Sequence, residues 1–118
     1  MTPQEIKSVI QQAADACQER DAEAFASLFA QDGELIISQQ SILGKAAIAK
    51  ITADYLLTCE DINIIIEKIA IEGDSAFIDW YWEDTKTAIG KRKGNHTTIK
   101  IDFQFGLISR WHELGINK

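Results

Sequence analysis

Apolar residues recur with a helical period in the first half of the chain and alternate in the second. Ile6, Val9, Ile10, Ala13, Ala16 and Cys17 predict an amphipathic helix over residues 3–19. Thr2-Pro3-Gln4-Glu5 before it has the form of a capping box with proline at the first helical position. Asp21 is placed to cap a second helix with Phe25, Leu28 and Phe29 on its apolar side, and Asp32-Gly33 then breaks the chain before a short strand over 34–37. Residues 38–43 are polar and loop-like. Gly44-Lys45 opens a third helix to about residue 57, with Ile48, Ile51, Tyr55 and Leu56 pointing one way.

From there the period changes to two. Residues 61–72 are rich in isoleucine and predict a long strand, 72–75 a hairpin turn, and 74–83 its returning strand. Residues 84–95, with two glycines and no periodicity, predict a long flexible hairpin. Residues 96–105 alternate again, and Gly106 turns the chain into a last strand over 107–114. Three helices followed by long antiparallel strands make an α+β fold, with the helices covering one face of a curved sheet and leaving a cone-shaped interior. The strand over 74–83 carries Ala76, Ile78, Trp80 and Trp82 on one face and Phe77, Asp79, Tyr81 and Glu83 on the other. Neither face is an obvious wet side, so one is expected to meet a partner and the other to line a cavity.

Composition narrows the class. At 118 residues the chain is expected to form one domain over 1–118, burying roughly 65 % of its unfolded surface. A hydrophobic content of 46 % with 25 % charged residues is ordinary for a globular protein. The net charge of −6 argues against a nucleic-acid partner. The basic run Lys91–Arg92–Lys93 is expected to be a solvated turn. No stretch approaches eighteen apolar residues, and the N-terminus lacks a basic region followed by an apolar run, so neither a membrane span nor a secretory signal is expected. Cys17 and Cys59 stand apart, without ligand spacing, which predicts a reducing, cytoplasmic setting and no metal or cofactor.

Four stretches together resemble the nuclear transport factor 2-like superfamily, whose members include ketosteroid isomerases and polyketide cyclases. They are R-D-A-E-A-F-A-S-L-F-A-Q-D-G, the G-K-A-A-I opening of the third helix, the G-D-S-A-F-I hairpin and the closing F-Q-F-G-L-I-S-R-W-H-E-L. The resemblance spans nearly the whole chain. It implies a cone-shaped half-barrel, three N-terminal helices on a strongly curved, mostly antiparallel sheet, dimerising through the outer face of the sheet. By analogy with ketosteroid isomerase it places Phe77, Asp79, Tyr81, Glu83, Ile99, Ile101, Phe103, Arg110, His112 and Leu114 inward. Trp80, Trp82, Lys100, Asp102, Ser109 and Trp111 are placed outward. Trp80, Trp82 and Trp111 would then form the aromatic interface of a homodimer.

Isomerase chemistry itself is not expected. It needs an aspartate base and an oxyanion hole built from a tyrosine and a protonated aspartate. The matching positions read Ile37, Ala13 and Ile101, none of which can exchange a proton. The expected function is a cavity for a small, mostly apolar ligand, bordered by Tyr55, Phe77, Asp79, Tyr81, Glu83, Ile101, Phe103, Arg110, His112 and Leu114. One alternative is a non-catalytic association module with a residual pocket, its inward polar groups forming a salt-bridge network. The other is a hydrolase or cyclase using Asp79, Tyr81, Arg110 and His112, in which a carboxylate orients His112, Arg110 holds a developing anion and Tyr81 fixes the substrate.

Overall fold

The computed structural model describes residues 1–117. Helix α1 (Pro3–Gln18) starts at the expected capping box: Glu5 N–H donates to Thr2 Oγ1 at 3.1 Å and Thr2 N–H to Glu5 Oε1 at 2.8 Å. Its stripe of Ile6, Ile10, Ala13, Ala14 and Cys17 is buried. Helix α2 (Ala22–Ser27) is capped by Asp21, whose carboxylate accepts from Ala24 N–H at 3.0 Å.

The strands differ from expectation at their ends. Strand β1 (Phe29–Ile37) begins inside the predicted second helix and runs through Asp32-Gly33 with an irregularity between Phe29 and Glu34. Gly33 is required there by close backbone approach: a Cβ would stand 3.0 Å from the Ala30 carbonyl oxygen and 3.1 Å from that of Ile108. Ser38 and Gln39, both at positive φ, form a two-residue turn into β2 (Gln40–Leu43), a strand where a loop was expected. After α3 (Lys45–Leu56) come β3 (Cys59–Glu72), β4 (Ser75–Lys86), β5 (Arg92–Gln104) and β6 (Leu107–Asn117). The predicted flexible hairpin is therefore mostly strand. Arg92 lies inside β5, where it reaches Asp61 at 2.6 Å and Glu83 at 2.8 Å, so the basic run is not simply a solvated turn.

The six strands lie in the order β2-β1-β6-β5-β4-β3, all antiparallel except β1 against β6. All three helices pack toward one face of this sheet. On β4 that face is Ala76, Ile78 and Trp80; on β5 it is Ile99, Ile101 and Phe103; on β6 it is Ile108 and Trp111. Edge strand β3 is tied to α1 where Ile64 N–H donates to Gln18 Oε1 at 2.9 Å. The fold is the expected α+β cone, with helices across the concave side of a curved sheet.

Two face assignments are inverted. Trp80 and Trp111 are 3 % and 2 % exposed, inside the core, and Trp82 packs against it. Phe77, Asp79, Tyr81 and Glu83 lie on the opposite, outer face, with Lys100, Asp102 and Arg110. The aromatic surface assigned to a homodimer is internal, occupied by the chain's own helices. On β4 the error is a single-residue slip, which moves every side chain to the other face. On β6 it is compounded by a register shift around Ser109, where Asp102 pairs with Arg110 but Phe103 with Ile108.

Candidate functional site

Between the helices and the concave face lies a cavity of about 1140 Å³. Helices α1 and α2 contribute Cys17 and Phe25, α3 contributes Ile51, Thr52, Tyr55 and Leu56, and the β1–β2 hairpin contributes Leu35, Ile37 and Ile42. The sheet supplies Trp80 and Trp82 from β4, Asn95 and Thr97 from β5, and residues 111–115 from β6. Half-exposed Ile37, Ile51, Tyr55 and Leu114 mark its mouth.

The wall is dominated by aromatic rings. Trp80 and Trp82 stand 6.2 Å apart between centroids, Trp80 and Trp111 5.4 Å, and Phe25 meets Trp111 edge-on at 5.2 Å. All three tryptophans of the chain border the cavity. By the alternation of β6, Trp111 and Glu113 enter together, and the indole Nε1–H of Trp111 donates to Glu113 Oε2 at 3.5 Å. Burial raises the pKa of Glu113 above the usual carboxylate range, with the Trp111 N–H only partly opposing it. Burial, with the charge of Glu113 added, likewise pushes the Cys17 thiol up to about 12.

A second polar cluster stands behind Tyr55 and Trp82, which border the cavity. Asp84, 4 % exposed, accepts at Oδ2 from Trp82 Nε1 at 2.7 Å and from the Tyr55 hydroxyl at 2.8 Å, and Lys86 Nζ lies 3.4 Å away. Burial raises the Asp84 pKa, but these donors and the Lys86 charge outweigh it, so the carboxyl ends below its ordinary value. Burial pushes Tyr55 up to about 12. The Lys86 ammonium also sits 3.9 Å from the centre of the Tyr55 ring. This cluster ties α3 to β4.

Of the residues expected to line the site, Tyr55 and Leu114 border the cavity. His112 lies beside it on β6 but opposite Lys100 and alternating with Trp111, which puts its side chain on the outer face with Arg110. Ile101 and Phe103 face inward but are packed into the core. The other five are on the outer face. Asp79 accepts from Thr98 Oγ1 at 2.7 Å, Tyr81 packs on His96 with centroids 4.8 Å apart, and Glu83 pairs with Arg92. Phe77 lies near Lys100, and Arg110 meets Glu34 at 3.5 Å. The proposed set of Asp79, His112, Arg110 and Tyr81 is therefore not assembled. Asp79 and Arg110 stand on β4 and β6 with β5 between them, on the side of the sheet away from the cavity. Sequence reasoning missed Glu113 and Asp84 and assigned Trp80, Trp82 and Trp111 to an outer interface instead of the cavity; an acid two residues beyond a tryptophan on a strand was the available signal for Glu113. Among the described residues no group of three or more His, Cys, Asp or Glu side chains is arranged to hold a metal ion, and no helix is long and apolar enough to cross a membrane.

Comparison with known proteins agrees with this architecture. No curated protein matches the chain. Among solved structures, a hypothetical protein from Catenulispora acidiphila with a ketosteroid isomerase-like fold, crystallised with trimethylamine, superposes with a TM-score of 0.84 at 17 % identity, covering 98 % of this chain and 87 % of that one. AclR, a putative hydroxylase from Streptomyces galilaeus, gives 0.83 at 16 % identity over 98 % and 91 %. A putative calcium/calmodulin-dependent protein kinase II association domain from Xanthomonas campestris gives 0.75 at 18 % identity over 96 % and 86 %. At such identities the likeness is one of fold. The SnoaL-like domain model matches residues 10–111, from the middle of α1 to the cavity tryptophan of β6, and the chain thus belongs to the SnoaL-like domain family within the nuclear transport factor 2-like superfamily.

Proposed function

We propose that the chain binds a small, mostly apolar molecule in the cavity beneath its helices. The observation that carries this reading is the aromatic wall: Trp80, Trp82 and Trp111 border a space of about 1140 Å³ instead of filling it. Ligand sites of roughly 300–1,000 Å³ are typically lined by apolar and aromatic side chains with a few polar groups that fix orientation. Here the polar groups include Glu113, the Tyr55 hydroxyl, Thr52, Asn95 and Thr97. Any proton moved in this cavity is best assigned to Glu113, whose raised pKa suits a general acid or base. Asp79 and Arg110 face the wrong way for such a role.

The chain's own fluorescence tests this reading, because every tryptophan it has borders the cavity. Titration with a small apolar aromatic compound should shift or quench the emission with saturation. Thr97→Phe, which fills space opposite Trp80, should abolish saturation while leaving a cooperative thermal transition. Saturable binding that Thr97→Phe leaves untouched would place the ligand elsewhere.

A further inference from the structure

We propose that the molecule taken up by this cavity is an organic cation, an alkylated or quaternary ammonium carried on an apolar body. The inference rests on the binding function proposed above and specifies its ligand class.

Three features of the wall select charge. First, the indoles of Trp80, Trp82 and Trp111 border the cavity, Trp82 the least buried of them, and indole rings attract ammonium groups. Second, Glu113 is the one carboxyl bordering the cavity among the described residues, and the hydrogen bond that it accepts from Trp111 is long, at 3.5 Å. Third, no Lys or Arg borders the cavity among the described residues. The cation nearest the aromatic wall, Lys86, is held by Asp84 and lies over Tyr55.

The alternatives fit less well. An anionic ligand would meet a carboxylate and three indoles with no positive group to offset them. A neutral ligand would leave Glu113 desolvated without compensation. A cation compensates the carboxyl and uses the ring faces at the same time, and the net charge of −6 favours its approach.

Three probes of one shape separate the possibilities: phenyltrimethylammonium, its neutral isostere tert-butylbenzene, and benzenesulfonate, each titrated by tryptophan fluorescence. The ammonium compound should bind about tenfold more tightly than tert-butylbenzene, and benzenesulfonate most weakly. Glu113→Gln should remove most of that preference. Ile37→Lys, which adds a cation at the mouth and leaves Glu113 in place, should weaken the ammonium compound alone. If tert-butylbenzene binds as tightly as the cation, the cationic ligand class is overturned while the binding function stands. A preference unchanged by both substitutions also overturns it. If none of the three binds, the binding function itself fails, and this inference with it.

Discussion

The rings of Trp80 and Trp111 stand 5.4 Å apart although a whole strand, β5, runs between the strands that carry them. Strands two apart in a sheet are separated by about 9.6 Å. Side chains leaning in on a concave face close that gap. The same curvature that makes the cavity therefore gathers the tryptophans in its wall, and their burial makes them part of the folded monomer.

Replacing Trp111 with Ala should destabilise the protein by about 3–5 kcal/mol, read as a lower urea midpoint. Trp80→Lys should prevent folding or cause aggregation, because a charge would enter the core. A well-folded Trp80→Lys protein with unchanged stability would contradict the face assignment and restore the idea of an outer aromatic patch.

Asp84 is a buried carboxylate satisfied by Tyr55, Trp82 and Lys86. Asp84→Ala leaves those donors without their acceptor and should cost about 3 kcal/mol or more. Tyr55→Phe removes one hydrogen bond and keeps the ring under Lys86, so about 1 kcal/mol is expected. A double-mutant cycle by chemical denaturation should show that the two effects are not additive.

Stability should fall toward both ends of the pH range for separate reasons. The Asp84 pKa is depressed on folding, so its contribution is complete above the ordinary value of 3.8 and is lost as pH falls through the folded value. The Glu113 pKa is raised, so its contribution is complete below the ordinary value of 4.5 and is lost as pH rises through the folded value. Glu113→Gln should thus match the native protein in strong acid and melt higher than it at neutral pH. Melting curves across pH check this, and a Glu113→Gln protein less stable than the native one at neutral pH would contradict it.

The turn between β5 and β6 holds Phe105 at φ 54° and Gly106 at φ 80°, with Phe105 93 % exposed. A bulky residue in the left-handed region is disfavoured, whereas Asn-Gly suits this two-residue hairpin. Phe105→Asn should raise stability by about 0.5–1 kcal/mol, visible as a higher melting temperature with unchanged circular dichroism.

Element type was largely legible in the chain. The capping box, the helical stripe of α1 and the alternation of β5 are local signals, and each leads to the element observed. Strand ends were less legible. The β1–β2 hairpin depends on Ser38 and Gln39 adopting positive φ, for which neither residue type is a strong signal. The candidate site was read from the wrong face. Alternation shows that Trp80 and Trp82 share a side with Ala76 and Ile78, and the analogy to ketosteroid isomerase, carried over one residue out of register, put that side outward. Simple apolar-in, polar-out sorting would have put Ala76, Ile78 and Trp80 inward.

What the sequence determined by itself is thus the set of elements and the partition of each strand into two faces, because those follow from short-range periodicity and capping. Only the tertiary structure decided which face met the helices. That choice rests on pairing between distant strands: Ile78 opposite Ile99, Trp80 opposite Thr97 and Ile101 opposite Trp111 must share one side. With Trp111 inward, the alternation of β6 carries Glu113 to the cavity beside it. The inward side of β6 is set by its pairing with β1 and β5, which no single strand's sequence encodes, and that choice places the carboxylate beside the aromatic wall.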